Sequence, residues 1–174
     1  MTVITKGMRV GVTGFRGPAL AYTEDMQLLS MQVVREIEPS YGYCIGVLGW
    51  SGAWAAALIE ARIPYTLLLT HPEVGSTWHP VHKSILTDLT SNSDKVLYRT
   101  KDITKMAWTS ACMDLHQYLV EHSDALVAFS TPGIRDSSSF YICKNAKELG
   151  KPVLEVIYDN GANTDTYRIG CNRA

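Results

Sequence analysis

The sequence predicts an α/β fold: a doubly wound, mainly parallel sheet of about six strands with helices on both faces. Three observations predict it. Short apolar runs alternate with segments of helical periodicity from residue 8 to residue 157. The runs are continuous rather than apolar at every second residue, as strands buried on both faces require. Little chain is spent between one element and the next, which suits repeated crossover units.

The elements follow in order. Residues 8–13, MRVGVT, read as a buried strand. In residues 24–38, Met26, Leu29, Val33 and Ile37 share one helical face, and Pro39 and Gly42 help end the helix. YCIGVL at 43–48 is the second strand, and the alanine-rich stretch 51–63 is the second helix. PYTLLLT at 64–70 is a strand opened by proline. Residues 71–84 read as a loop entering a helix that ends near Thr90, and DKVLYR at 94–99 as a strand. Trp108, Cys112, Leu115 and Leu119 recur at helical spacing within 105–122. DALVAFS at 124–130 is the clearest central strand, 137–150 a helix closed by Gly150, and KPVLEVI at 151–157 the last strand. Residues 158–174 are polar and glycine-containing, a hairpin or a loosely docked end.

A chain of 174 residues is expected to form one domain over 1–174, with 158–174 as its polar tail. Apolar residues at 46% and charged residues at 19% fit a folded protein with a real core. The formal net charge of −1 and the lack of a basic run with interleaved aromatics predict no nucleic-acid partner. No apolar stretch is long enough for a membrane span, and MTVITKGMRV lacks the pattern of a signal peptide, so a cytoplasmic protein is expected. Cys44, Cys112, Cys143 and Cys171 are far apart and show no CxxC spacing. That predicts thiols in a reducing compartment rather than a zinc site.

In a parallel sheet, ligands sit at the carboxyl ends of the strands near the reversal of strand order. Three turns fall there. The first is Thr13, Gly14, Phe15, Arg16, Gly17 and Pro18. Its amides could face an anion and Arg16 could bind phosphate through two bonds, or the arginine is simply solvated. The second holds Gly49, Trp50, Ser51 and Gly52 at the start of a helix, where unpaired amides suit an anion. Trp50 could stack on a base, while Ser51 could be only a cap and Trp54 belongs in the core. The third is Pro132, Gly133, Arg135 and Asp136, followed by Ser137, Ser138 and Ser139, more hydroxyls than one helix cap needs. Together the turns match neither GxGxxG nor the P-loop. They predict a mononucleotide or nucleotide-derived ligand, with no cofactor.

His71, His79 and His82 share one loop with Glu73, and no cysteine lies nearby. The loop is expected to act as a lid with Trp78 as an apolar or stacking wall, and no metal is expected. His116 reads as a partly exposed helix residue.

GVTGFR, GVLGWSGAWAAALIEARIP, EHSDALVAFS and SSSFYICKNAKELGKPV together resemble the small Rossmann-like proteins of the SLOG superfamily. That group includes the lysine-decarboxylase-like LOG phosphoribohydrolases and short bacterial and phage nucleotide-binding relatives. The resemblance covers most of residues 8–157, although nucleoside deoxyribosyltransferases carry a stretch comparable to the SDALVAF…AKELGKPV part. It implies a nucleotide pocket at the three turns. The LOG enzymes read PGGxGTxxE at the last turn; here Pro132-Gly133 keeps the start, and Ser137–Ser139 stand where glycine and threonine would fall. Ile142 occupies the position of the glutamate. The preceding helix offers Leu115, His116 and Gln117 but no arginine, and Gly52 is nearest to the aspartate of the second turn in many short relatives.

Cleaving an N-glycosidic bond builds positive charge on the sugar, which a nearby carboxylate stabilises. Asp136, Asp114 and Glu155 are the candidate substitutes, whereas Asp124 reads as a cap or structural acid. The expectation is therefore a protein that senses or sequesters a nucleotide-derived small molecule without turnover. The alternative is an N-glycosidase, phosphoribohydrolase or deoxyribosyltransferase. Related small folds often pair through helices, which implies a homodimer or higher homo-oligomer.

Overall fold

The computed structural model describes residues 4–14, 23–101, 105–130, 137–158 and 168–171, and of residues 105–108, 137 and 168–171 the backbone alone. Strand β1 (Arg9–Gly14) lies inside the sheet, with Val10 through Thr13 buried. It pairs in parallel with β2 (Tyr41–Ile45) on one side and β5 (Ala125–Ser130) on the other. Beyond β2 lie β3 (Tyr65–Leu69) and β4 (Lys95–Tyr98), and beyond β5 lies β6 (Val153–Ile157). These are the six parallel strands of a Rossmann-like α/β fold. The polar tail adds to them: β7 (Arg168–Cys171) pairs antiparallel with β6 at the sheet edge.

Among the described residues five helices cover the two faces: α1 (Glu24–Ile37), α2 (Gly49–Glu60), α3 (Pro80–Asn92), α4 (Lys105–His122) and α5 (Ser137–Glu148). Alternation of side chains along each strand divides the core. Cys44, Leu67 and Val127 pack with Val33 of α1 and Trp54 and Leu58 of α2. Their chain neighbours Tyr43, Leu68 and Leu126 pack on the opposite face with Leu115 and Leu119 of α4 and Ile142 and Ala146 of α5. These three strands thus carry apolar residues to both layers, which explains their continuous runs. The predicted stripe of α1, Met26, Leu29, Val33 and Ile37, is buried throughout. Thr23 caps this helix by accepting from the Met26 amide at 3.3 Å.

The second strand and second helix each begin two residues earlier than expected. The chain leaves the sheet at Gly46, whose φ of 71° lies in the left-handed region that glycine tolerates best. Its amide donates to the Leu68 carbonyl at 2.9 Å, so the turn stays tied to β3. The cap of α2 is consequently Leu48, without a side-chain bond, and Ser51 lies within the helix. Among the described residues, no helix is long and apolar enough to cross a membrane.

Candidate functional site

Strand order reverses between β1 and β5, so their carboxyl ends at Gly14 and Ser130 flank the crevice where this fold class places ligands. Two of the expected site residues meet there. Thr13 is 6% exposed, and its Oγ1 lies 3.0 Å from Oγ of Ser139 in the first turn of α5. Ser138 beside it is exposed, and the backbone of Ser137 starts the helix. Phe15, Arg16, Gly17, Pro18, Pro132, Gly133, Arg135 and Asp136 lie outside the described residues.

The second turn is built into a helix. Gly49, Trp50, Ser51 and Gly52 form the first turn of α2, with Ser51 half-buried and Gly49 and Gly52 buried. Trp50 is 2% exposed. Its ring stacks on Phe129 at 4.2 Å with 2° between the planes, and Tyr158 meets it edge-on at 5.3 Å. A Cβ on Gly14 would stand 2.8 Å from Cβ of Trp50. Gly14 therefore makes room for this tryptophan. The expectation that Trp50 offers a stacking face is corrected, because the early start of α2 turns the ring into the core. Trp54 is fully buried, as expected.

A cleft of about 370 Å³ opens instead at the carboxyl ends of β2 and β3, against α4. Gly46, Val47 and Leu48 form part of its lining, with Thr70, His71, Trp78 and His116 around them. Thr70 is only 8% exposed. Its Oγ1 and Nδ1 of His71 are both buried without a hydrogen-bond partner. Buried polar atoms are nearly always satisfied, so two unpartnered ones on consecutive residues that line one cleft stand out. Pattern reading did not single out Thr70; a hydroxyl ending the apolar run YTLLLT, with histidine after it, was the available signal.

The loop expected to be a lid is a series of tight turns that wall this cleft. The amides of Val74, Ser76 and Trp78 donate to the carbonyls of His71, Glu73 and Gly75 at 3.0–3.1 Å. Trp78 lines the cleft and is half-buried. His79 caps α3, its Nδ1 accepting from the Val81 amide at 3.4 Å. Its ring lies 6.2 Å from that of His82, and among the described residues no three His, Cys, Asp or Glu side chains form a metal-binding group.

Two of the candidate acids, Asp114 and Glu155, are engaged elsewhere. Asp114 accepts from Nε of Arg99 at 3.1 Å, and Glu155, in the middle of β6, pairs with Lys147 at 3.0 Å. Asp124 accepts from Nε and Nη2 of Arg9 at 3.1 and 2.7 Å at the start of β5, the structural place expected for it. The Arg9 hydrogen bond holds the Asp124 carboxyl below its ordinary pKa. Ile142, which stands at the position of the LOG glutamate, is 3% exposed in the core between α4, α5 and the sheet.

No protein-family model matches the chain, and no characterised protein matches it by sequence. Solved structures do match it in fold. DNA processing protein A of Streptococcus pneumoniae superposes with a TM-score of 0.60 at 15% identity, over 86% of this chain and 50% of that one. DNA processing protein A of Helicobacter pylori, described in terms of its single-stranded DNA binding mode, superposes at 0.56 and 13% identity over 86% of this chain. The match covers 65% of the Helicobacter chain, so the present chain spans only part of either relative. These neighbours overturn two expectations: a nucleotide-derived small-molecule ligand, and the absence of a nucleic-acid partner. Net charge alone is a weak filter for a nucleic-acid partner. A net charge of −1 sums over the whole surface. Single strands are held by local cations and aromatic faces, which such a sum does not register.

Proposed function

We propose that the chain binds single-stranded DNA along the carboxyl edge of its sheet, as a cytoplasmic Rossmann-like protein of the SLOG group. The observation that carries this reading is the fold shared with DNA processing protein A over 86% of the chain. The chemistry of the edge supports it. Phe140 and Tyr141, in the first two turns of α5, are 66% and 57% exposed, and Tyr98 is 43% exposed at the carboxyl end of β4. Bases stack on such rings whatever their sequence. Lys83 of α3 and Lys101 after β4 are exposed near the same edge. In the sequence, Arg16 and Arg135 follow the two strands that flank the crevice, and they supply phosphate contacts in this reading. Thr13 and Ser139 bond to each other beside the crevice.

Fluorescence anisotropy with labelled oligo-dT, and with a duplex of equal length, tests this. Oligo-dT should bind more tightly than the duplex, and Arg16→Ala should weaken it roughly tenfold. No binding of oligo-dT even at low salt would overturn the proposal.

A further inference from the structure

The cleft beside β2 and β3 is distinct from the crevice between β1 and β5, and its chemistry is different. Its volume of about 370 Å³ suits one small group rather than a length of chain. Its walls are mostly apolar, with Val47, Leu48, Leu69 and Trp78 among them. Glu73 is in the lining, so a phosphate is disfavoured by charge. The polar atoms left unpaired are a hydroxyl and an imidazole nitrogen on consecutive residues, Thr70 and His71. A hydroxyl donates and accepts, and an imidazole nitrogen does one or the other according to tautomer. A flat ring with apolar faces and adjacent donors and acceptors on one edge satisfies every one of these features. That description is a nucleobase.

We propose that this cleft accepts one unstacked base of the bound strand, with Trp78 as its ring wall and Thr70 and His71 bonding its edge. The proposal rests on the single-stranded DNA reading above and adds a base subsite to it. Single strands can present splayed bases in this way, whereas a duplex keeps its edges paired. The site therefore also supplies a reason for discrimination against duplex.

The test uses the full chain and two oligo-dT probes, one of them with a single central abasic position. Thr70→Val keeps the shape and removes the hydroxyl, and its melting temperature should equal or exceed that of the parent, because an unpaired buried oxygen is lost. It should weaken oligo-dT binding by roughly three- to tenfold, and Trp78→Ala by at least about fivefold. Both variants should respond less than the parent to the abasic position. If the parent binds oligo-dT and both variants bind it equally well, the base subsite is overturned and the DNA reading stands. If the parent binds no oligo-dT at all, both readings fall.

Discussion

The hydroxyls of Thr13 and Ser139 lie 3.0 Å apart although 126 residues separate them in sequence. They tie the carboxyl end of β1 to the first turn of α5, across the reversal of strand order. Thr13 is nearly buried, so its hydroxyl has little recourse to water. Thr13→Val and Ser139→Ala should each cost about 1 kcal/mol in urea unfolding. The double variant should cost less than the sum, with a coupling of roughly 0.5–1.5 kcal/mol. Strict additivity would show that the two groups do not bond in solution.

Trp50 gives a second test, because its ring is a core ring rather than a binding surface. Stacked on Phe129 and buried to 2% exposure, it should cost about 3–5 kcal/mol on truncation to alanine. Trp50→Phe should keep the fold at a smaller cost and leave oligo-dT affinity unchanged. A Trp50→Phe protein that melts like the parent yet loses DNA would place this ring in the site after all.

The fold was legible because its signals are local. The stripe from Met26 to Ile37 and the continuous runs of β1, β3 and β5 need only periodicity to be seen. The start of α2 was misplaced because Gly42, Gly46 and Gly49 offer three possible turns in eight residues. The choice is tertiary: Gly42 stays in the strand beneath Leu58, and Gly46 bonds to Leu68. The burial of Trp50 had a readable cue. Trp50 and Trp54 are four apart, so one helical face carries both into the core. Ile142 and Ala146 on α5 have the same spacing and are likewise buried. For Thr70 and His71 the sequence shows only a hydroxyl and a histidine at the end of an apolar run, since missing partners are a property of the assembled cleft.

Under the single-stranded DNA reading proposed above, charge predicts how binding should respond to salt. The chain has 16 lysines and arginines against 17 acids, and Arg99 near the edge is paired with Asp114. Few phosphates are then neutralised, and stacking must supply much of the affinity. A plot of log affinity for oligo-dT against log salt should have a shallow slope, on the order of −1 to −3. A slope steeper than about −5 would mean an extended cationic track rather than an aromatic one.

Arg9 and Asp124 predict a pH effect remote from the site. Three bonds from Arg9 converge on the carboxylate, including its backbone amide at 2.9 Å, and they lower the Asp124 pKa below its ordinary value. A carboxyl with a depressed folded pKa stabilises the fold above its unfolded pKa and loses that contribution as pH falls through the folded value. With side chains 49% and 38% exposed, solvent limits the gain to about 1 kcal/mol or less. Asp124→Asn should therefore lower the melting temperature slightly at neutral pH. The gap to the parent should close below roughly pH 4. A gap that stays constant down to acid pH would assign the loss to the backbone bond rather than to charge.

Lys151 makes the strongest single polar prediction. Its Nζ donates to the carbonyls of Val120, Glu121 and Ser123 at 2.5, 3.0 and 2.7 Å. Carbonyls in the last turn of a helix have no intrahelical donor, and α4 ends at His122. An ammonium has three donors and here finds three acceptors, at the negative end of the helix dipole. This explains why a lysine directly after Gly150 matters to the packing of α4 on the sheet. Lys151→Met keeps the aliphatic stem and removes all three bonds, at an expected cost of about 1.5–3 kcal/mol. For a chain of this size that corresponds to a fall in Tm of about 4–10 °C. Lys151→Arg should recover little, because a planar fork cannot converge on three carbonyls as a point donor does. Full stability of Lys151→Met would mean that water replaces the ammonium at those carbonyls without cost.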